Sequence, residues 1–116
     1  MHGDVKVANF AILPGERVAA FDWAGAGHAP ATLDLGWYLA VNASRLARAE
    51  EAMIERYRAL LEEALGRPIA GIEWSQMVES ALLFGALMLL GSKALALKDQ
   101  RPGASAEWEW WVARLS

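Results

Sequence analysis

Three short polar side chains near the start of the chain, Asp4, Asn9 and Asp22, could do chemistry together. The Asn follows the first Asp by five residues, and the second Asp lies thirteen beyond the Asn. That is the layout of a phosphoryl-transfer site. One carboxylate orients a hydroxyl nucleophile, while an amide oxygen and a second carboxylate hold Mg²⁺ against nucleotide phosphates. The residues sit in His2-Gly3-Asp4-Val5-Lys6-Val7-Ala8-Asn9-Phe10 and in Phe21-Asp22-Trp23, and a further carboxylate, Asp34, follows in Leu33-Asp34-Leu35. Taken singly, Asp4 reads as a turn or cap residue, Asn9 as a strand end and Asp22 as a hairpin terminus. Their joint spacing is what points to a site.

The elements that must position them are legible. Val5 to Leu13 is mostly apolar and ends at Pro14-Gly15-Glu16-Arg17, a turn in which Pro presets φ and Gly accepts unusual dihedrals. The pattern predicts a short antiparallel hairpin of Phe10–Leu13 with Val18–Phe21. Asn9 and Asp22 then stand at its open ends, opposite the turn, close enough to share one cation. Residues 24–30 form a loop rich in Gly and Pro, with Gly25 and Gly27 read as loop flexibility and His28 as a solvated residue. Thr32 is the expected N-cap of a helix running to about Asn42, with Asp34 in its first turn, favourable for the helix dipole. A helical stripe at 46, 53, 54, 57, 60, 61, 64 and 65 predicts a second helix over Leu46–Leu65, stopped by Gly66 and Pro68, with Arg58 and Glu62 spaced i,i+4 on its polar side.

A long helix is predicted from about Ser75 to Lys98. It is apolar nearly all round between Ala81 and Leu90, so neighbours are expected to enclose it. After the Arg101-Pro102-Gly103 break, Ala104–Leu115 reads as a short Trp-rich helix, in which Trp108, Trp110 and Trp111 pack against the rest and Glu107 and Glu109 are solvated. The expected class is α+β and mainly α: a short hairpin carrying the catalytic loop, then four helices. Residues 1–31 hold the loops and hairpin, and residues 32–116 the helical part.

Composition excludes several functions. With 116 residues, 55% apolar and 22% charged, the chain is one globular domain of ordinary size. It has 11 basic and 14 acidic residues, net −3, so no nucleic-acid footprint is expected and a cationic substrate is tolerated better than an anionic one. The absence of cysteine removes disulfides, thiolate catalysis and zinc-thiolate sites. No basic segment followed by an apolar run marks a signal peptide. The longest uninterrupted apolar run, Ala81–Gly91, has 11 residues, against the ~18–20 of a bilayer span. A soluble cytoplasmic protein without membrane partners is the expectation.

The sequence resembles the aminoglycoside phosphotransferase and choline kinase family, small-molecule kinases with a protein-kinase-like fold. The resemblance is carried by His2-Gly3-Asp4, Asn9, Asp22 at the end of the hairpin and the Asp34-Leu35 helix start. It is clear over residues 2–40 and continues as a helix-rich C-terminal lobe. It implies that Asp4 is the catalytic carboxylate, which orients the substrate hydroxyl and accepts its proton. Asn9 and Asp22 become the Mg²⁺ ligands, hard oxygen donors for a hard cation. Lys6 stands where related kinases place a lysine near the transferred phosphate of ATP, although an ion pair with neighbouring carboxylates is an equal reading. His2 serves the loop's architecture, and Asp34 braces the loop through backbone N–H groups.

Kinases of this fold bind ATP between two lobes, and the smaller lobe carries a glycine-rich phosphate loop and a strand lysine paired with a helix glutamate. Here the catalytic loop begins at residue 2. The expectation is therefore a chain that keeps the base and the metal ligands but is inactive without a nucleotide-binding lobe. The cleft-facing side of the hairpin is expected to expose apolar surface, inviting self-association or a partner chain. The alternatives are a split-kinase subunit, and a non-catalytic helical binding module with a vestigial site.

Overall fold

The structure is a computed structural model, and it describes residues 1–42, 46 and 49–116. Two strands and four α-helices follow one another in chain order: β1 (Phe10–Leu13), β2 (Arg17–Ala20), α1 (Thr32–Asn42), α2 (Glu50–Leu65), α3 (Gly71–Lys98) and α4 (Ala104–Leu115). Single 3₁₀ turns at Val7–Asn9 and Trp23–Gly25 flank the hairpin. This is the mainly helical α+β class read from the sequence. The strands pair antiparallel, with Phe10 opposite Ala20 and Leu13 opposite Arg17. The second strand thus begins and ends one residue earlier than predicted. Gly15 and Glu16, both at positive φ (77° and 58°), close the turn. One further bond, from Phe21 N–H to the Asn9 carbonyl at 3.1 Å, extends the ladder at its open end.

The core lies where α1, α2, α3 and α4 meet. Leu35 and Leu39 of α1, Ile54 of α2, Trp74 and Leu82 of α3 and Trp111 of α4 are buried in one cluster with Ile69. Each such side chain removed from water stabilises the fold by about 1.5–3 kcal/mol. Helices α1 and α3 cross closely because their contact residues are small. A Cβ on Gly36 would stand 1.9 Å from the Ala81 carbonyl oxygen, and one on Gly85 would stand 2.5 Å from the Gly36 carbonyl oxygen. Helix α2 starts at Glu50; Leu46 lies outside it, and residues 47 and 48 of the predicted helix fall outside the described ones. Arg58 and Glu62 form the predicted pair at 3.0 Å and also clamp the segment ahead of α3: Arg58 Nη2 donates to the Ile69 carbonyl at 2.8 Å, and the Ile69 N–H donates to Glu62 at 2.9 Å.

Three expectations fail, each for a physical reason. Neighbours do not enclose α3. Ala81, Leu82, Gly85 and Ala86 are buried, but Leu83, Leu87 and Met88 are 53%, 76% and 57% exposed. The partner helix α1 has 11 residues against 28 in α3, roughly 16 Å beside 42 Å at 1.5 Å per residue, so it covers one stripe only. The 11-residue apolar run is part of this longer helix, whose most apolar 18-residue window has a mean hydropathy of 1.8 and is 22% buried. The core helix of a water-soluble protein meets that composition as readily as a membrane span does. Thr32 does not cap α1. It is fully buried, and its hydroxyl donates to the Met77 carbonyl of α3 at 3.2 Å. Glu107 is not solvated, because Lys93 of α3 reaches it at 2.5 Å with both side chains about five-sixths buried (16% and 17% exposed). The packing predicted for the tryptophans holds for Trp111, which is buried, with Trp110 edge-on to it at 5.0 Å.

Candidate active site

The segment from His2 to Val7 runs beside α1, and three side chains of that helix reach it. Asp34 Oδ2 accepts the His2 N–H at 2.6 Å and Oδ1 accepts the Gly3 N–H at 2.9 Å. Trp37 donates its indole N–H to Asp4 Oδ1 at 3.0 Å. Asn42 Oδ1 accepts the Val7 N–H at 3.2 Å, and its amide group donates back to the Tyr38 carbonyl at 3.0 Å. Positions 34, 37 and 42 fall within one face of a helix that turns 100° per residue.

Gly3 adopts φ 88°, and a Cβ there would lie 2.1 Å from the Gly25 carbonyl oxygen. Only glycine fits at that point. Gly25 is thus a close-contact residue, where the sequence suggested loop flexibility. His2 is buried between the loop and the hairpin end. Its ring lies 4.3 Å from that of Trp23, Nε2 contacts the Phe21 carbonyl at 3.1 Å, and Nδ1 accepts the Asp4 N–H at 3.3 Å. A single tautomer with its proton on Nε2 satisfies both contacts. His28 is exposed in the loop that follows.

Asp4 collects three donors. Oδ2 takes Lys6 Nζ at 2.5 Å and Asn9 Nδ2 at 2.9 Å, and Oδ1 takes Trp37. The hydrogen bond from the Lys6 ammonium is the largest influence and holds the Asp4 carboxyl below the usual carboxylate range; burial, next in size, opposes it, and the weaker bonds from Asn9 and Trp37 add to the lowering. Asn9 is buried, and its Nδ2 also donates to the Asp4 carbonyl at 2.9 Å. With the nitrogen committed, Oδ1 is the atom left to face a cation.

Asp22 follows Phe21, the residue opposite Asn9 at the end of the ladder. It is exposed, in the left-handed region at φ 64° and ψ 61°, and its carboxylate takes no hydrogen bond or ion pair among the described residues. A non-glycine residue in that conformation carries about 1–3 kcal/mol of strain. Among the described residues no group of three or more His, Cys, Asp or Glu side chains is arranged to hold a metal. An amide oxygen with one carboxylate is nonetheless a fitting donor set for Mg²⁺, which keeps several waters and completes its shell with substrate phosphates.

The structure thus brings Asp4, Lys6, Asn9, His2 and Asp34 into one hydrogen-bonded unit and leaves Asp22 beside it at the hairpin mouth. Residues 1–72 match the phosphotransferase enzyme family, APH, and the match covers 72 of 116 residues. The chain belongs to that family. Neither the curated proteins nor the solved structures compared with it gave a match. The matched segment of this phosphotransferase-family chain ends within the first turn of α3, so most of α3 and all of α4 lie beyond it. Sequence reading missed Trp37 and Asn42. Their signal was present in the helical spacing from Asp34, but a Trp on a helix is ordinarily assigned to the core and an Asn at a helix end to a cap.

Proposed function

We propose that this chain is the catalytic and metal-binding part, the C-terminal lobe, of an ATP-dependent phosphotransferase that phosphorylates a hydroxyl group on a small molecule. The observation that carries the reading is the Asp4 carboxylate, held by Lys6, Asn9 and Trp37, with Asn9 Oδ1 accepting no hydrogen bond among the described residues, in a chain of the phosphotransferase family. Asp4 accepts the O–H of the incoming alcohol and aims its oxygen at the terminal phosphate. Its lowered pKa makes it a weak proton acceptor at neutral pH, so orientation outweighs early deprotonation. That suits a loose phosphoryl-transfer transition state, in which the nucleophile bears little charge until late. Lys6 has ammonium protons beyond the one given to Asp4, and these can face oxygens of the transferred phosphoryl group.

Asn9 Oδ1 and the Asp22 carboxylate would hold Mg²⁺. When bound, the ion supplies neutralisation of phosphate charge. Because one Asn9 amide serves both sides, donating to Asp4 through nitrogen and offering its oxygen to the cation, metal and base positions are tied through a single planar group. The net charge of −3 favours an alcohol that carries positive charge, such as an amino alcohol or aminoglycoside. Activity requires a nucleotide-binding lobe, whether on the same polypeptide or on a partner. A role as one half of a two-part enzyme or as an interaction module is favoured by the open apolar surface of the hairpin, where Ile12 is 84% and Val18 65% exposed.

Mg²⁺ titration of the 116-residue chain, followed by the amide resonances of Asn9 and Asp22, tests the metal site. Saturable binding in the millimolar range is expected, lost in Asn9→Ala and in Asp22→Ala. Binding unaffected by both substitutions would sink the assignment. With a nucleotide lobe supplied, Asp4→Ala should lower turnover by about two to four powers of ten while leaving folding intact. A variant that turns over normally overturns the role of Asp4.

A further inference from the structure

The Asp4 carboxylate has about four lone-pair positions, two on each oxygen. Both on Oδ2 are engaged, by Lys6 at 2.5 Å and Asn9 at 2.9 Å. One on Oδ1 is engaged by the indole N–H of Trp37 at 3.0 Å. Among the described residues a single acceptor position is left unengaged, on Oδ1, and it is there that an alcohol O–H can donate. Which way that position points depends on the side-chain torsions of Asp4. The contacts on Oδ2 come from residues 6 and 9, in the same local segment as Asp4. Trp37 comes from the middle of α1, whose next residue toward the N-terminus, Gly36, is locked against the α3 backbone. Its indole donates only, so it neither competes for the alcohol's proton nor supplies one.

We propose that Trp37 is a positioning residue: its indole N–H fixes Asp4 in one side-chain rotamer, so that the last acceptor position of the carboxylate is presented to the hydroxyl nucleophile. The proposal rests on the reading of Asp4 as the residue that meets the alcohol. It assigns a role to an aromatic side chain that packing alone would leave as filler on the helix surface.

The test is NMR of the 116-residue chain at neutral pH. In the parent chain, the three-bond couplings of the Asp4 side chain should report one rotamer, and the Trp37 indole N–H should exchange slowly with solvent. Trp37→Phe keeps an aromatic ring but has no donor, and should average the Asp4 couplings over at least two rotamers. Trp37→His restores a ring N–H and should recover much of the single-rotamer pattern, which a purely space-filling role would not produce. Couplings unchanged in Trp37→Phe overturn the proposal. Should that variant fail to fold, Asp4→Ala decides: the indole proton should then exchange about tenfold faster or more, and an unchanged rate overturns the proposal. The Mg²⁺ response of Asn9 and Asp22 is measured on the same samples. Loss of the Trp37 effect with that response intact removes Trp37 alone, and loss of the Mg²⁺ response removes the site reading.

Discussion

Replacing Asp34 by Ala is the most direct probe of how the loop is held. In the parent chain both carboxylate oxygens are used, one on the His2 N–H at 2.6 Å and the other on the Gly3 N–H at 2.9 Å, and His2 is only 5% exposed. The alanine leaves two donors without partners. A buried donor stripped of its acceptor costs about 1–3 kcal/mol, so the pair sums to roughly 2–6. Gly3 and Asp34 are half-buried, and water can reach part of the gap. The expected loss is therefore about 2–4 kcal/mol, out of the ~5–15 typical of a domain. In melting temperature that is on the order of 10 °C for a chain of this size. Were Asp34 only an acidic residue in the first turn of α1, its favourable interaction with the helix dipole would be worth about 0.3–1 kcal/mol. The two accounts differ severalfold. Urea unfolding followed by circular dichroism separates them by linear extrapolation. Hydrogen exchange at His2 and Gly3 should accelerate in the same variant. Asp34→Asn is the sharper control: its oxygen keeps one N–H, but its NH₂ meets the other, so it should recover no more than about half the loss. A cost below about 1 kcal/mol for Asp34→Ala, or unchanged exchange at residues 2 and 3, would refute the reasoning.

Gly36→Ala should destabilise the chain by about 2 kcal/mol, since the overpacking cost of a methyl group driven into the Ala81 carbonyl, about 3 kcal/mol at the upper end of the usual range, exceeds the ~1 kcal/mol gained in helix propensity; an equally stable variant in chemical denaturation contradicts the close crossing of α1 and α3. Stability should also fall in acid. The carboxyls of Asp4 (through Lys6), Glu62 (through the Ile69 N–H, then Arg58) and Glu51 (through Arg114, then Trp110) are held below their ordinary values. A depressed folded value means stabilisation that is complete above the unfolded value of about 4 and is lost as pH drops through the folded one. Melting curves should therefore decline below about pH 4, less steeply in Glu62→Gln; an identical slope in that variant would remove Glu62 from the account.

The parts of this fold that local rules govern were readable in advance. Pro14-Gly15 announced the turn, the spaced apolar residues of α2 announced its face, and Arg101-Pro102-Gly103 marked the break before α4. The errors lie where the outcome depends on what packs across. The all-round apolar stretch of α3 predicted enclosure, yet periodicity carries no information on how long the neighbouring helix will be. Glu107 read as solvent-facing because its partner Lys93 belongs to another helix and no spacing along α4 reveals it. Thr32 has the chemistry of a cap, but it lies inside α1 as its first residue, with its hydroxyl buried and turned to the Met77 carbonyl of α3. At the site, the spacing of Asp4, Asn9 and Asp22 suggested convergence, and Asp4 and Asn9 do meet at 2.9 Å. Of the two readings open for Lys6, the ion pair with a neighbouring carboxylate is the one seen, with Asp4 at 2.5 Å; that Trp37 would complete the set could not be told from spacing, because its indole comes from a helix more than thirty residues on.

These contacts also explain how a loop of short side chains is held in place by the helix beside it. Asp34, Trp37 and Asn42 span nine residues of α1, about 12 Å of helix, and grip residues 2, 3, 4 and 7 of the segment beside it. The loop is laid along a helix, and the helix is itself seated on α3 through glycine. Rotating α1 by even part of a turn would carry all three grips away together, so the loop's geometry is set by the register of one helix and not by separate local preferences. It follows that the α1–α3 crossing and the position of the Asp4 carboxylate are mechanically linked. A substitution at Gly36, which touches none of the site residues, should therefore disturb the Asp4 rotamer as well as stability, because Trp37 is the next residue on the displaced helix.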